Sequence, residues 1–454
     1  MPSGRSQRLL FVYVKGGPTL EFAVPSMARV AEVHVLGLGP FPPHAEHVWR
    51  PSAASVRQER AFGREEVVNT ILTVAKELRV DGILALSEFA LLAVSEAAAI
   101  LGLPGAGPNV VRSRDKRLMR QVWRQAGVPS PEFRPVSSLQ EAHEAVAALR
   151  LPVLLKAAWS AGSVAQTVIR DESEVAAAWA AATRALDDTF ESRYTELAVA
   201  GTPRDLLVEE IIDGSTDGWY PTGSGYGDYL SVEGMVDGGE YHPLCITSRI
   251  PTIPPFTELA NLLPCTLDED KQREIEQVAR AAVEALGLDT CCTHTEIKLK
   301  ADGTVALIES AARVGGVNVA QQMTRVFGLN PVEMLSKVLV GQQVQYPPRM
   351  LVDGQGAAGT VAIIATDSAG RRWADRDRIW DSRSVSWDSL LSPGTEAEVV
   401  TGLSVPDGTP MPRYGSAHGA VDYAGLFFLT ARDAPTLLHD TYAILDGLEQ
   451  ALQS

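Results

Sequence analysis

Two glutamates and an arginine stand close together in the stretch THTEIKLKADGTVALIESAARVGG, residues 293–316: Glu296, Glu309 and Arg313. TEIKLK and TVALIE each alternate apolar and polar side chains as half-buried strands do, and Asp302-Gly303 between them is a two-residue turn signal. Counting outward from that turn sets Glu296 directly opposite Glu309 and sends Ile297, Leu299, Ala306 and Ile308 to the other face. Like charges opposed in this way destabilise a sheet by roughly 0.2–1 kcal/mol. Something should offset that cost. A hard divalent cation would do so, because Mg²⁺ takes carboxylate oxygens together with substrate phosphates. The alternative is a pair of solvated glutamates at a sheet rim, and the hairpin alone leaves both open.

The elements that must position these groups are bounded first by bulk properties. A chain of 454 residues has room for roughly three domains. A net charge of −16 argues against a nucleic-acid or anionic-membrane partner, although a phosphate site can be locally basic. Cys245, Cys265, Cys291 and Cys292 lack CxxC spacing, so neither a disulfide framework nor a zinc knuckle is expected. LLFVYV before Lys15 is too short for a signal segment, and no apolar run approaches a membrane span. A cytoplasmic protein is expected.

Residues 8–112 alternate strand and helix patterns (RLLFVYV, VAEVHVLGLG, EEVVNTILTVAKELRV, DGILAL, EFALLAVSEAAAILG), which predicts a parallel α/β sheet. Ligands in such sheets lie beyond the carboxyl ends of strands. Glu88 falls at one such end, although a glutamate at a helix N-terminus needs no further reason. Ser113 is placed to cap a helix that stops at Gly127, and Pro129 and Pro131 form a linker. A second unit follows: the helix SLQEAHEAVAAL, the strand LPVLLKAA with Lys156 near its end, the turn WSAGS, and the strand DLLVEEII. Residues 213–230 read as a long Gly/Ser/Tyr loop, SVEGMVDGGEYHPLCITSRI as a hairpin, and PTIPPFTELANLLP as a proline-stiffened loop. From about residue 346 the pattern changes to a small, compact α+β unit.

Six segments, SRDK, PVLLKAAWSAGS, LLVEEII, SVEG, THTEIKL and LIESAARVGG, follow the sequence order of the ATP-grasp superfamily, which the chain resembles over essentially its whole length. The ending E-x-A-A-R-x-G-G and the C-terminal α+β unit resemble the L-amino acid ligase, or dipeptide synthetase, branch. The resemblance implies an α/β and α+β ATP-grasp fold. It would comprise an N-terminal parallel α/β domain (1–112), an ATP-grasp domain (113–345) with a mobile lid at about 129–208, and a C-terminal α+β domain (346–454). It implies an ADP-forming ligase that phosphorylates an amino acid's carboxylate to an acyl phosphate and couples it to an amine. That brings anion to anion, so charge neutralisation and positioning carry the catalysis.

On this resemblance Glu296 and Glu309 hold one or two Mg²⁺ ions, with Mn²⁺ able to substitute, and Arg313 neutralises the acyl phosphate and the later oxyanion. Lys116, Lys156 and Ser163 contact the ATP phosphates. Backbone groups near Glu210 and Ile212 read the adenine edge, and Glu209 or Asp217 holds the ribose. Glu258 faces the ammonium of the first amino acid, and Gly315 and Gly316 let the backbone approach the substrate carboxylate. Val317 leaves room for a medium-sized substrate. Three features depart from the family pattern. The phosphate loop has only Gly162, beside Trp159; Ala311 stands where many members have asparagine; and 213–230 is an insertion, either closing over the nucleotide or lying on the surface. The resemblance is compatible with a homodimer or a monomer, acting on small-molecule carboxylate and amine partners. The alternatives are a non-amino donor or a peptide or other amine acceptor, and a nucleotide-binding module without catalysis. A biotin-carboxylase-like reaction ranks lower, since no carrier tetrapeptide such as AMKM is present.

Overall fold

The structure, a computed structural model, describes residues 6–42, 45–159, 166–191, 205–254, 256–374, 378–414 and 422–452. At the start of the chain β1 (Arg8–Tyr13), β2 (Glu32–Gly37), β3 (Ser55–Gln58) and β4 (Gly82–Leu84) run parallel in the order β3-β2-β1-β4, as the alternation of strand and helix predicts. Leu10 and Val12 pack under helices Arg64–Leu78 and Leu91–Leu101, while Leu9 and Phe11 face the other way, toward the next layer. Covering both faces explains why β1 is an unbroken apolar run.

Helix Lys116–Ala126 carries the chain into the second unit. Its cap is Asp115 rather than the expected Ser113: the Asp115 carboxylate accepts the Arg117 amide at 2.9 Å, and the Ser113 hydroxyl donates to the Val110 carbonyl. Gly127, at φ 71°, ends it in the left-handed conformation. Beyond it β5 (Phe133–Val136), β6 (Val153–Ala157), β7 (Thr167–Ile169) and β8 (Leu206–Glu210) form an antiparallel sheet in the order β5-β8-β6-β7. Val153, Leu155, Leu206 and Val208 face helices Leu139–Ala148 and Val175–Glu191, so by strand alternation Lys156 and Glu209 point to the opposite face.

The central sheet has eight strands in the order β13-β12-β9-β10-β11-β14-β18-β16. They are β9 (Tyr229–Asp237), β10 (Glu240–Arg249), β11 (Ala260–Leu263), β12 (Cys291–Leu299), β13 (Val305–Ala311), β14 (Ala357–Ile363), β16 (Glu396–Val399) and β18 (Gly425–Ala431); β15 (Ile379–Trp380) and β17 (Thr409–Pro410) form a separate ribbon. Two expectations change here. The end of the proline-stiffened segment is not loop: Ala260–Leu263 is a buried strand paired with β10 and β14. Through that pairing the C-terminal strands β14, β16 and β18 extend the central sheet, while β15 and β17 pair apart from it. Helix Glu269–Leu286 and the C-terminal helix Ala434–Ala451 share the core on one side of this sheet. Helix Val319–Phe327 and the N-terminal unit cover the other.

Candidate functional site

The hairpin that opened the sequence reading is present, and Glu296 pairs with Glu309 across β12 and β13. The route to that register differs from the expectation. The turn is longer than Asp302-Gly303, with Lys300 and Thr304 closing it and Gly303 at φ 77°. A bulge at Ile308 then restores the register, since Glu296 faces Glu309 while Ile297 faces Leu307. Val305 and Leu307, not Ala306 and Ile308, therefore share the apolar face with Ile297 and Leu299. Ile308 turns instead toward the same cleft as the two glutamates.

That cleft, of about 190 Å³, lies between the central and the small sheet. Lys116, Lys156, Glu209, Glu210, Ile212, Glu258, Glu296 and Glu309, all expected from sequence, line it. Leu154, Ile211, Ile308 and Phe256 add apolar surface, so the cleft joins an apolar end to a charged one. A roomier cleft of about 630 Å³ opens between Pro129–Glu132 and the hairpin turn, but Glu296, Glu309 and the two lysines do not reach it.

Helix Lys116–Ala126 ties the two sheets together. Lys116 Nζ lies 3.1 Å from Glu309 Oε2. One turn on, the fully buried Arg120 donates to Glu209 Oε2 at 3.1 and 3.3 Å and to the Ile308 carbonyl at 2.6 Å. One arginine thus holds both the bulge and the small sheet. Glu209 also accepts from Lys156 Nζ. Burial opposes charge on Glu209, yet Lys156 and Arg120 keep its carboxyl below the usual range. Burial likewise pulls the Lys156 ammonium down despite Glu209. Glu209 therefore has both oxygens engaged within the protein while still lining the cleft. Glu210 accepts the Arg150 amide at 3.0 Å.

Arg313 does not line the cleft. Its guanidinium donates to Glu88 Oε2 at 3.1 and 3.3 Å, and Arg114 Nη1 holds the other oxygen of Glu88 at 2.8 Å. Glu88 is thus a buried bridge from the N-terminal sheet, more than a residue that favours a helix N-terminus. Burial opposes its charge, but Arg313 and Arg114 bring its pKa to about 2. Arg313 in turn feels Glu309 and Glu296 beyond Glu88. The two glycines that follow differ. A Cβ on Gly315 would meet His294 Nδ1 at 2.9 Å and Glu233 Oε2 at 3.0 Å, so this residue is small for packing, whereas Gly316 has nothing within 4 Å. Val317 and Asn318 follow at φ 52° and 64°, a left-handed pair that is rare for a β-branched residue.

Glu258 sits at the cleft's far side, accepting from the Tyr229 hydroxyl and from Arg249 Nε, each at 3.0 Å. The inserted loop is anchored rather than laid loosely on the surface. Trp219, Tyr220 and Tyr226 are buried, Trp219 donates to the Lys300 carbonyl at 2.8 Å, and Tyr442 donates to the Gly225 carbonyl at 2.7 Å. Ser163 lies outside the described residues. Trp159 is buried, its carbonyl accepting from Arg114. Sequence reasoning missed Arg114, Arg120, Glu233 and His294. The helical spacing of Lys116 and Arg120, and the period of β9 and β12, were the available signals.

Among the described residues no three His, Cys, Asp or Glu side chains form a ready metal cage. Two carboxylates with an ammonium beside them fit a cation that keeps phosphate and water ligands.

Residues 149–321 match the ATP-grasp domain family, and the chain carries that domain within an ATP-grasp fold. Over 256 residues, 56% of this chain and 53% of the relative, it is 37% identical to the alanine–anticapsin ligase of Bacillus subtilis. The matched stretch thus spans about half the length of that relative. An L-amino acid ligase from Bacillus licheniformis superposes with a TM-score of 0.74 at 20% identity, over 97% of this chain and 98% of that one. A carboxyaminoimidazole ribonucleotide synthase from Aspergillus clavatus, solved with ATP, gives a TM-score of 0.69 at 16% identity, over 98% of this chain and 99% of that one. At such identities the two structures speak for the fold alone.

Proposed function

We propose that this protein is an ATP-dependent, ADP-forming ligase that activates the carboxylate of an amino acid as an acyl phosphate and joins it to an amine. The observation that carries the reading is the cleft in which Glu296 and Glu309 oppose Lys116 and Lys156. The likeness to an alanine–anticapsin ligase supports an amino acid donor or acceptor. The adenine would rest on Leu154, Ile211 and Ile212, and Lys116 and Lys156 would meet the phosphates. Glu296 and Glu309 would hold Mg²⁺, which when bound neutralises charge between the triphosphate and the donor carboxylate. Arg313, held by Glu88, would stand ready for the charge that develops on the acyl group. The partners are small molecules, and the setting is cytoplasmic.

A second reading differs only in the donor. Arg249 and Tyr229 already occupy Glu258, which lowers its pull on a substrate ammonium and favours a donor without one. The test is phosphate release with Mg-ATP against single and paired amino acids, with mass spectrometry of the products. Release that requires a pair, with a product equal to the sum less water, supports the dipeptide reading. Release with a donor lacking an ammonium, unchanged in Glu258→Ala, supports the second. Bound ATP with no release on any acid and amine would sink both.

A further inference from the structure

We propose that Glu233 and His294 form a positioning pair that fixes the orientation of Glu296 and thereby sets how tightly the opposed carboxylates take a divalent cation. This rests on the reading of Glu296 and Glu309 as the cation's carboxylates.

The register of β9 and β12 places His294 directly opposite Glu233 and Glu296 opposite Ser231, so all four side chains share one face of the central sheet. Glu233 and His294 are 1% and 4% exposed. His294 Nδ1 lies 2.9 and 3.0 Å from the two Glu233 oxygens, and its Nε2 lies 3.3 Å from Glu296 Oε1. One ring thus spans two carboxylates, with both nitrogens engaged. Glu233 is locked from its other side by the hydroxyls of Ser231, at 2.8 Å, and Thr247, at 3.3 Å. Gly315 presses on the pair from above, leaving no space for a Cβ between them. The ring cannot turn without losing either its anchor or its contact with Glu296.

Stability alone does not account for this arrangement. A buried ion pair is often no more stabilising than well-packed apolar residues of the same volume, because desolvation cancels the attraction. The far nitrogen, moreover, falls on one of the two carboxylates that the cleft presents. Carboxylates that bind metals are usually held by a further hydrogen bond, and removing that partner typically weakens metal binding by about 10–100-fold.

The test is Mn²⁺ uptake in the presence of ADP, read as loss of the free Mn²⁺ signal by electron paramagnetic resonance, with a melting curve for each variant. An asparagine amide can replace Nδ1 and a glutamine amide can replace Nε2. His294→Asn should keep the Glu233 bond, lose Glu296, and weaken Mn²⁺ binding by ~10–100-fold. His294→Gln can still donate to Glu296 and should restore binding to within ~3-fold of the wild type. A folded His294→Asn that binds Mn²⁺ as the wild type does would overturn the proposal. So would equal losses in both variants that follow their melting temperatures. If His294→Asn does not fold, Glu233→Gln, which keeps the Ser231 and Thr247 hydroxyls in place, decides: unchanged Mn²⁺ affinity overturns the proposal and weakened affinity supports it. Wild-type protein that takes up ADP but no Mn²⁺ would remove the carboxylate-pair reading itself, a result distinct from a difference between variants.

Discussion

On the central-sheet wall of the cleft, Glu296 and Glu309 lie side by side with Lys116 on one of them. On the small-sheet wall, Glu209 alone is shared by Lys156 and Arg120. Around the opposed pair there are two carboxylates to one ammonium, and around Glu209 one carboxylate to two cations. Each cluster thus has a local surplus of one sign, with Glu210, Glu258 and Lys298 also lining the cleft. On the proposed reading, a divalent cation with a phosphate chain would satisfy both. All three carboxylates line the cleft, but Glu209 is held by two buried cations, whereas Lys116 is the ammonium beside the opposed pair.

Three substitutions sharpen that contrast. The largest effect is expected at the opposed pair. Glu309→Ala removes one of the proposed cation ligands and should lower phosphate release by ~10³-fold or more, a loss of several kcal/mol of transition-state stabilisation. Steady-state phosphate release at saturating Mg-ATP measures it. Next, Glu209→Gln leaves Lys156 and Arg120 without their buried counter-ion, and should cost about 3–5 kcal/mol in urea unfolding. If that variant instead lost activity at unchanged stability, Glu209 would belong with the ligand-facing carboxylates and the contrast would fail. The smallest effect is a pH dependence. Glu88 has a folded pKa of about 2, below the 4.5 of an ordinary glutamate. Its contribution to stability is therefore full above about pH 4.5 and fades as pH falls toward 2. The difference in unfolding midpoint between wild type and Glu88→Gln should shrink across that window. A constant difference would mean that the Arg114–Glu88–Arg313 bridge does not titrate as described.

Much of this was legible in the sequence because it is local. Glu296 and Glu309 are joined by a hairpin, and their pairing followed from period and turn signals. Even there the turn and the bulge departed from the simple count in opposite senses, and Gly303 and Ile308 restored the register between them. Lys156 was legible as a charge on an apolar strand that needs a partner. The partner itself was not legible, because Glu209 comes from a strand 53 residues away. The same distance in sequence hid Glu88 from Arg313, 225 residues apart, and Glu233 from His294, 61 apart. Period places a side chain on a face; only strand order brings faces together. The C-terminal strands show the same limit. Their pattern reads as a separate unit, and nothing in it announces that β11 will bridge them to the central sheet.

The most direct measurement follows oxygen. A donor acid labelled with ¹⁸O in its carboxylate, turned over with Mg-ATP and an amine, should pass one labelled oxygen to the released phosphate, because the acyl phosphate's bridging oxygen leaves with phosphorus when the amine attacks. Labelled phosphate together with ADP is the predicted result. Unlabelled phosphate, or AMP in place of ADP, would contradict the account.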